Sequence, residues 1–459
     1  MLSRIAEEFY SSYSNSNKEQ FTEEYQEFFK KFTDCHPGYA DVSYPPPVFT
    51  AEFIKYLKDS AEFLLETIFS IPERIFNNDY SRLLDFQGYT SDEKAYILRS
   101  CLPELLSQAK LLARPDFLLA PDGLKVIEMN VATAIGGIGI ADRHAEIFFR
   151  TNIARAMSDK GIDLTFHPIS RKWADFLYKH SRSVSEDESP FIFMALIDNQ
   201  EMDYKNFNSF IGYEVLHFLR ANGFRTATAA INELRFENDG VYYKNFRIDI
   251  VLTSFIYIEA RDAGILDICD KLTEAQHQGL LTFYGITAPT IFDNKANLAI
   301  LSSDEFAGYF TREEHKKIDE LIPKTVKLTC SNMEQVISDR ERLVLKECIS
   351  FGGQNVVLGT NCSNKEWEET VRNVIRKGET YIAQELVEPR IRRAVFEPDG
   401  VGYYDMCISA CYFEKFAGVF FREQLCSGDK TSLINCAQGA KLSMGFYNYQ
   451  GQSISQTEK

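Results

Sequence analysis

Residues 342–359 read Arg-Leu-Val-Leu-Lys-Glu-Cys-Ile-Ser-Phe-Gly-Gly-Gln-Asn-Val-Val-Leu-Gly. The spacing predicts a strand over 343–347, a glycine loop, and a second strand over 355–358. Lys346 stands at the end of the first strand. Gly352 and Gly353 let a backbone come close to a phosphate, and loop N–H groups can cradle it. A lysine at a strand end adds a point charge for phosphate oxygens. The GxxxxGK[ST] pattern of a P-loop is absent. Taken alone, the same residues describe a plain hairpin with a surface lysine equally well.

The flanking segments extend this reading. Residues 381–386 form an apolar strand stopped by Pro389, and Gln384, Glu385, Leu386 and Val387 lie at its polar end. A nucleobase fits such an edge, with backbone groups reading it and Glu385 or Val387 nearby. Further on, Arg422 closes a Gly-Val-Phe-Phe-Arg run, where a guanidinium can hold a carboxylate bidentately. Upstream, residues 116–120 and 124–128 read as strands joined by a turn at 121–123. Glu128 and Asn130 are two apart and share a strand face. A three-residue turn puts Asp116 opposite Glu128. Two carboxylates and an amide oxygen then converge, a donor set for Mg²⁺ completed by substrate phosphates. A solvated hairpin with unrelated acids is the plain alternative. Lys295, in Phe-Asp-Asn-Lys, reads by itself as a lysine at a helix start.

Between these segments, residues 190–270 alternate strand and helix: strands at 191–197, 225–229, 241–243 and 248–252, and a helix over 207–221. This predicts a parallel α/β subdomain. Residues 1–35 fit a helix with one aromatic stripe. Residues 51–68, 70–76 and 91–113 read as further helices, the last capped near Ser91. Strands at 393–396 and 403–413, with a hairpin at 399–400, complete the C-terminal half.

The chain has 459 residues and a net charge of −16. That balance disfavours a nucleic-acid partner or an anionic membrane surface, since both need a basic face. No apolar run approaches the ~20 residues of a membrane helix. The first eight residues turn acidic before any apolar core, so they do not read as a signal peptide. The ten cysteines contain no CxxC pair, and the seven histidines contain no HxH or HxxxH. Reduced thiols in a cytoplasmic protein are expected, without an imidazole zinc site. Nothing basic is spaced beside Cys407 or Cys411, so both read as buried structural thiols.

The order of these pieces resembles the ATP-grasp superfamily, in its circularly permuted branch typified by eukaryotic-type glutathione synthetase. The pieces are Arg114-Pro115-Asp116, Glu128-Met129-Asn130, Gly136-Gly137, Lys295, the Lys346-to-Asn355 loop, residues 382–387 and Arg422. The resemblance implies an α/β ATP-grasp fold over 111–190 and 280–459, an inserted α/β substrate subdomain over 191–279, and an N-terminal helical region over 1–110. It implies ATP bound by Lys295, Lys346, Gly352, Gly353, Asn355 and residues 384–387. It assigns Mg²⁺ to Glu128 and Asn130, to which the hairpin reading adds Asp116, and makes Arg114 and Arg422 the candidates for holding carboxylates or an acylphosphate. The activity implied is an ATP-dependent carboxylate–amine ligase acting on small-molecule substrates through an acylphosphate. A ligase charging a carrier-protein thiol, a phosphotransferase and an inactive nucleotide binder are the alternatives, and a homodimer is compatible. Four features depart from the pattern. Ser350 stands where the family has a further metal-binding glutamate, with Glu347 the nearest substitute. The segment from Asn130 to Gly136 is one residue shorter. Residues 248–254 lack the arginine used near the peptide substrate, and Gln424 replaces a lysine.

Overall fold

The computed structural model describes residues 2–16, 18–35, 42–131, 138–198, 216–350, 353–389, 392–397, 400–426, 433–435 and 439–448. Gly136, Gly137, Gly352, Asp399 and most of the 207–221 segment lie outside these residues; residues 216–221 are helical, as expected.

Two antiparallel sheets dominate the architecture. The larger runs Lys441–Met444, Lys415–Leu425, Gly400–Phe413, Leu112–Ala120, Gly123–Asn130. The long Gly400–Phe413 strand pairs with Arg392–Glu397 along its first half and with Leu112–Ala120 along its second. The smaller sheet runs Thr325–Lys327, Tyr381–Glu385, Leu343–Glu347, Val356–Leu358. The sequence reading found three of its strands but not Thr325–Lys327, which is only three residues long.

The third sheet is wholly parallel, in the order Thr282–Phe283, Ile250–Thr253, Phe191–Leu196, Arg225–Ala230. Its central strand shows why both faces are covered. Phe191, Phe193 and Ala195 alternate into one core with Cys269 and Leu272. Ile192 and Met194 point into another with Trp173 and Leu177. A strand apolar on both faces needs helices on both sides.

The helices differ in detail from the periodicity reading. The 1–35 segment divides into Arg4–Ser16 and Lys18–Cys35. The expected 51–68 and 70–76 helices are one, Ala51–Arg74, capped by Thr50. Pro72 sits inside its last turns, where it removes a single hydrogen bond while Ile68 and Ile71 continue the buried stripe. The expected 91–113 helix splits into Ser91–Leu98 and Pro103–Ala109, because a proline is best placed at a helix start. Its cap is Thr90, one residue before Ser91, and Glu93 completes a capping box. Among the described residues, no helix is long and apolar enough to cross a membrane.

The smaller sheet is locked at its edge. Arg340 Nη1 donates to the carbonyls of Gly359 and Cys362, at 2.5 Å each. A Cβ at Gly359 would lie 1.8 Å from the Arg340 carbonyl oxygen, a backbone atom that cannot swing aside. Gly359→Ala should therefore cost at least about 1–3 kcal/mol, read as a lower denaturation midpoint in urea; an unchanged midpoint would refute the contact.

Candidate active site

The hairpin that carries the acids has a tighter turn than expected. Ala120 pairs with Gly123, leaving only Pro121 and Asp122 as the turn. A bulge between Asp116 and Phe117 then leaves Ile127 without a counterpart and brings Asp116 opposite Glu128. The expected juxtaposition arises, by a different route: a two-residue turn plus one bulged residue.

Asp116, expected as a metal ligand, is held by the protein's own side chains. It is fully buried and gripped by two guanidiniums. Arg114 donates from Nε to Oδ1 and from Nη2 to Oδ2, both at 3.1 Å. Arg422 Nη2 lies 2.6 Å from Oδ2, to which Asn130 Nδ2 also donates. Burial alone would raise this carboxyl's pKa, but the two arginines outweigh it and hold the group below the ordinary carboxylate range. Both of its oxygens accept from neighbouring side chains. The two arginines come together as expected, but the carboxylate they hold is the protein's own. Arg422 also donates to Ser409 Oγ and Cys407 Sγ, partners that sequence spacing did not flag. Burial pushes the Cys407 and Cys411 thiols up to about 12, which keeps them protonated and unreactive.

Glu128, Asn130 and Lys295 meet in front of this cluster. Lys295 Nζ lies 3.2 Å from Glu128 Oε1 and donates to the Ser350 carbonyl at 2.7 Å. Asn130 spends its Nδ2 on the Arg114 carbonyl and on Asp116, which leaves its amide oxygen as the end for the cavity it lines. That cavity, about 70 Å³, has Glu128, Asn130, Asp293, Lys295 and Ser350 as polar walls, and Ile256, Tyr257 and Ile258 as an apolar one. The apolar wall follows the Ile250–Thr253 strand, at the carboxyl end of the parallel sheet, where α/β folds place ligands.

Lys346 points the other way along the seam. Its ammonium crosses from the smaller sheet to the larger, donating to the Ile127 carbonyl at 2.8 Å and to Gln384 Oε1 at 2.7 Å. Burial pushes it down to about 8, partly countered by Glu128, while Lys295 lowers it further. Beside it lies an apolar slot of about 80 Å³. Leu118 and Ile127 of one sheet face Val344, Val356 and Leu358 of the other, and Gln384, Glu385, Leu386 and Val387 form the edge.

Two expected residues lie in the turn between the Leu343–Glu347 and Val356–Leu358 strands. Asn355, at φ 55°, donates from Nδ2 to Glu347 Oε2 at 2.7 Å. Gly353 has φ 75°, a conformation that only glycine adopts freely. Glu347 follows Lys346 on the same strand, so it projects from the opposite face.

Asp293 is the residue that sequence reading passed over. It ends the one-turn helix Thr290–Asp293, two residues before Lys295, and faces the same cavity. Burial raises its carboxyl to about 7, opposed by Lys295 and reinforced by Glu128. Only the spacing from Lys295 could have pointed to it, and that spacing is common.

No family model matches the chain, and no curated protein does. A solved glutathione synthetase-like effector from Globodera pallida, in its apo form, matches over 93% of this chain and 96% of its own, with a TM-score of 0.58 at 13% identity. The chain has a glutathione synthetase-like ATP-grasp fold. D-cycloserine synthetase matches 55% of this chain and 75% of its own (14% identity, TM-score 0.32). A RimK-domain ATP-grasp protein from Sphaerobacter thermophilus matches 56% and 90% (14% identity, TM-score 0.27). These last two alignments are too loose to carry an argument.

Two outcomes follow from the site. Asp116→Ala should destabilise the protein by about 3–5 kcal/mol, because it strands two buried guanidiniums; a near-neutral change in urea denaturation would show that the clamp is not a structural element. Asp293 makes stability depend on pH. The folded carboxyl keeps its proton to about pH 7, while an unfolded one loses it near pH ~3.9. The folded chain thus binds the extra proton within this window, and its stability falls as pH rises through it. Asp293→Asn should flatten that fall in urea titrations across the window, and an unaltered slope would contradict the assignment.

Proposed function

We propose that the chain is an ATP-dependent ligase joining a small carboxylic acid to an amine through an acylphosphate. The observation that carries this reading is an apolar slot lined by Lys346 near a second cavity lined by Lys295, with Glu128 interacting electrostatically with both ammoniums. On one side is an apolar slot shaped for a base between two sheets. On the other are a second buried ammonium, Lys295, and the oxygens of Glu128 and Asn130. A nucleoside triphosphate needs this sequence of environments: an apolar slot, then cations. The glutathione synthetase-like fold supports the reading, as does the order of the motifs along the sequence.

In this reading the adenine lies between Leu118 and Ile127 on one side and Val344 and Leu358 on the other. The amides of Glu385 and Leu386 already donate to the Lys324 and Arg342 carbonyls, so Val387 is the backbone donor proposed for the base. Lys346 would exchange its contacts with Ile127 and Gln384 for phosphate oxygens, and Lys295 would release Glu128 to do the same. Glu128 and Asn130 offer hard oxygen donors on one strand face and therefore fit Mg²⁺, which when bound neutralises phosphate charge. The protein's work is to position the reactants, neutralise charge and exclude water from the activated acid. The Gly352-Gly353 loop, of which Gly352 lies outside the described residues, is the proposed lid, and the 191–279 segment the proposed substrate subdomain, inserted between the 111–190 and 280–459 parts of the proposed ATP-grasp domain that follows the 1–110 helices. Small-molecule substrates and a cytoplasmic setting belong to the same proposal.

The expected result is a rise in melting temperature with Mg-ATP, and phosphate release that depends on one acid plus one amine from an amino-acid pool. A ligand at ~100 Kd adds about 2.7 kcal/mol. Lys346→Ala should abolish the shift and the turnover. In the intact protein, affinity should fall as pH rises past about 8, where Lys346 loses its charge. No shift with any nucleotide would end the proposal.

A further inference from the structure

The resemblance puts a metal-binding glutamate at position 350, and this chain has serine there. Ser350 is not a substitute in this structure. Its carbonyl accepts from Lys295, and its hydroxyl donates to the Glu347 carbonyl at 3.1 Å. Glu347 projects from the wrong strand face and accepts from Asn355. Asp116 is saturated by Arg114, Arg422 and Asn130. Three nearby oxygen sources are thereby removed as the third protein ligand.

Asp293 is the acid that remains. The short helix Thr290–Asp293 packs against the Gly123–Asn130 strand, which carries Glu128 and Asn130. The three side chains line one cavity of about 70 Å³. The carboxylates of Asp293 and Glu128 interact electrostatically, and both lean on Lys295. Once Lys295 turns to a phosphate, two carboxylates and one amide oxygen share the cavity with no cation other than Lys295 among the described lining residues. Three oxygen donors of this hardness and net charge are a divalent-cation set, with water and phosphate oxygens completing the shell.

We infer that Asp293 is the third protein ligand of a divalent-cation site formed with Glu128 and Asn130, supplying from a different element the carboxylate that position 350 lacks. This rests on the nucleotide reading above. The metal would then be held by the Gly123–Asn130 strand and the Thr290–Asp293 helix, which pack together. In the family pattern, by contrast, one ligand comes from the glycine loop. Loop motion and metal binding would be uncoupled here.

The test is a Mn²⁺ titration of the full-length chain, with free Mn²⁺ read by electron paramagnetic resonance, alone and with saturating ADP. The wild type should bind Mn²⁺, and Asp293→Asn should weaken binding about tenfold or more, equivalent to about 1.4 kcal/mol. Adding Ser350→Glu to that variant should recover the affinity, because it returns a carboxylate to the family position. Unchanged Mn²⁺ binding in Asp293→Asn, or a loss that Ser350→Glu does not recover, would overturn the inference. Should Asp293→Asn fail to fold, Ser350→Glu alone decides. A further carboxylate beside Asp293 should tighten Mn²⁺ binding, and no tightening counts against the site. The melting shift with ADP in the absence of metal reads the nucleotide slot separately. Its absence defeats the nucleotide reading, whereas a shift with Mn²⁺ binding indifferent to Asp293 defeats only this inference.

Discussion

Lys346 carries a positive charge into the seam between two antiparallel sheets, and the site is arranged around how that charge is satisfied. An ammonium buried without partners is too costly to keep. Here it has the Ile127 carbonyl from one sheet and the Gln384 amide oxygen from its own. Those contacts tie the smaller sheet to the hairpin of the larger. They also leave the ammonium partly desolvated, and so responsive to an anion that can offer better partners. The apolar slot beside it is a consequence of the same geometry. The seam must be dry where Leu118, Ile127, Val344 and Leu358 face one another, and polar only where the strand ends.

The second constraint is the buried Arg114–Asp116–Arg422 cluster. Two arginines on one carboxylate are stabilising only when all three remain together. They come from the hairpin and from the Lys415–Leu425 strand, which are separated by the long Gly400–Phe413 strand. The cluster therefore fixes the register of the sheet under the site. It also holds Asn130 by its Nδ2, which turns the amide oxygen outward. A motif that reads as three independent functional residues is one structural unit with one outward-facing product.

Much of this was legible in the residues. The hairpin followed from Pro121-Asp122-Gly123 between two apolar runs, and the shared face of Glu128 and Asn130 from the twofold repeat of a strand. The parallel sheet followed from the alternation of strands and helices over 190–270, although the expected 241–243 strand pairs antiparallel with Arg235–Glu237 and Phe246–Arg247 instead. Other features were not legible. The helix breaks at Ser16 and near Cys101 depend on packing and on Pro103 rather than on a change in periodicity. The bulge at Ile127 leaves no sequence mark, because the strand on either side keeps its alternation. Asp293 was invisible because nothing local separates a cavity acid from a surface acid.

The sequence by itself determined the local alphabet: which segments are strands, where Lys346, Glu128 and Asn130 stand on them, and which faces those side chains share. These follow from short-range sterics and from the periods of helix and strand. Only the tertiary structure decided which carboxylates are free. Asp116 is consumed by arginines and Glu347 is turned away, while Asp293 is delivered from a helix more than 160 residues along the chain from Glu128. The physical reason is that a charge's role depends on its neighbours in space and on its access to water, and both are set by long-range packing.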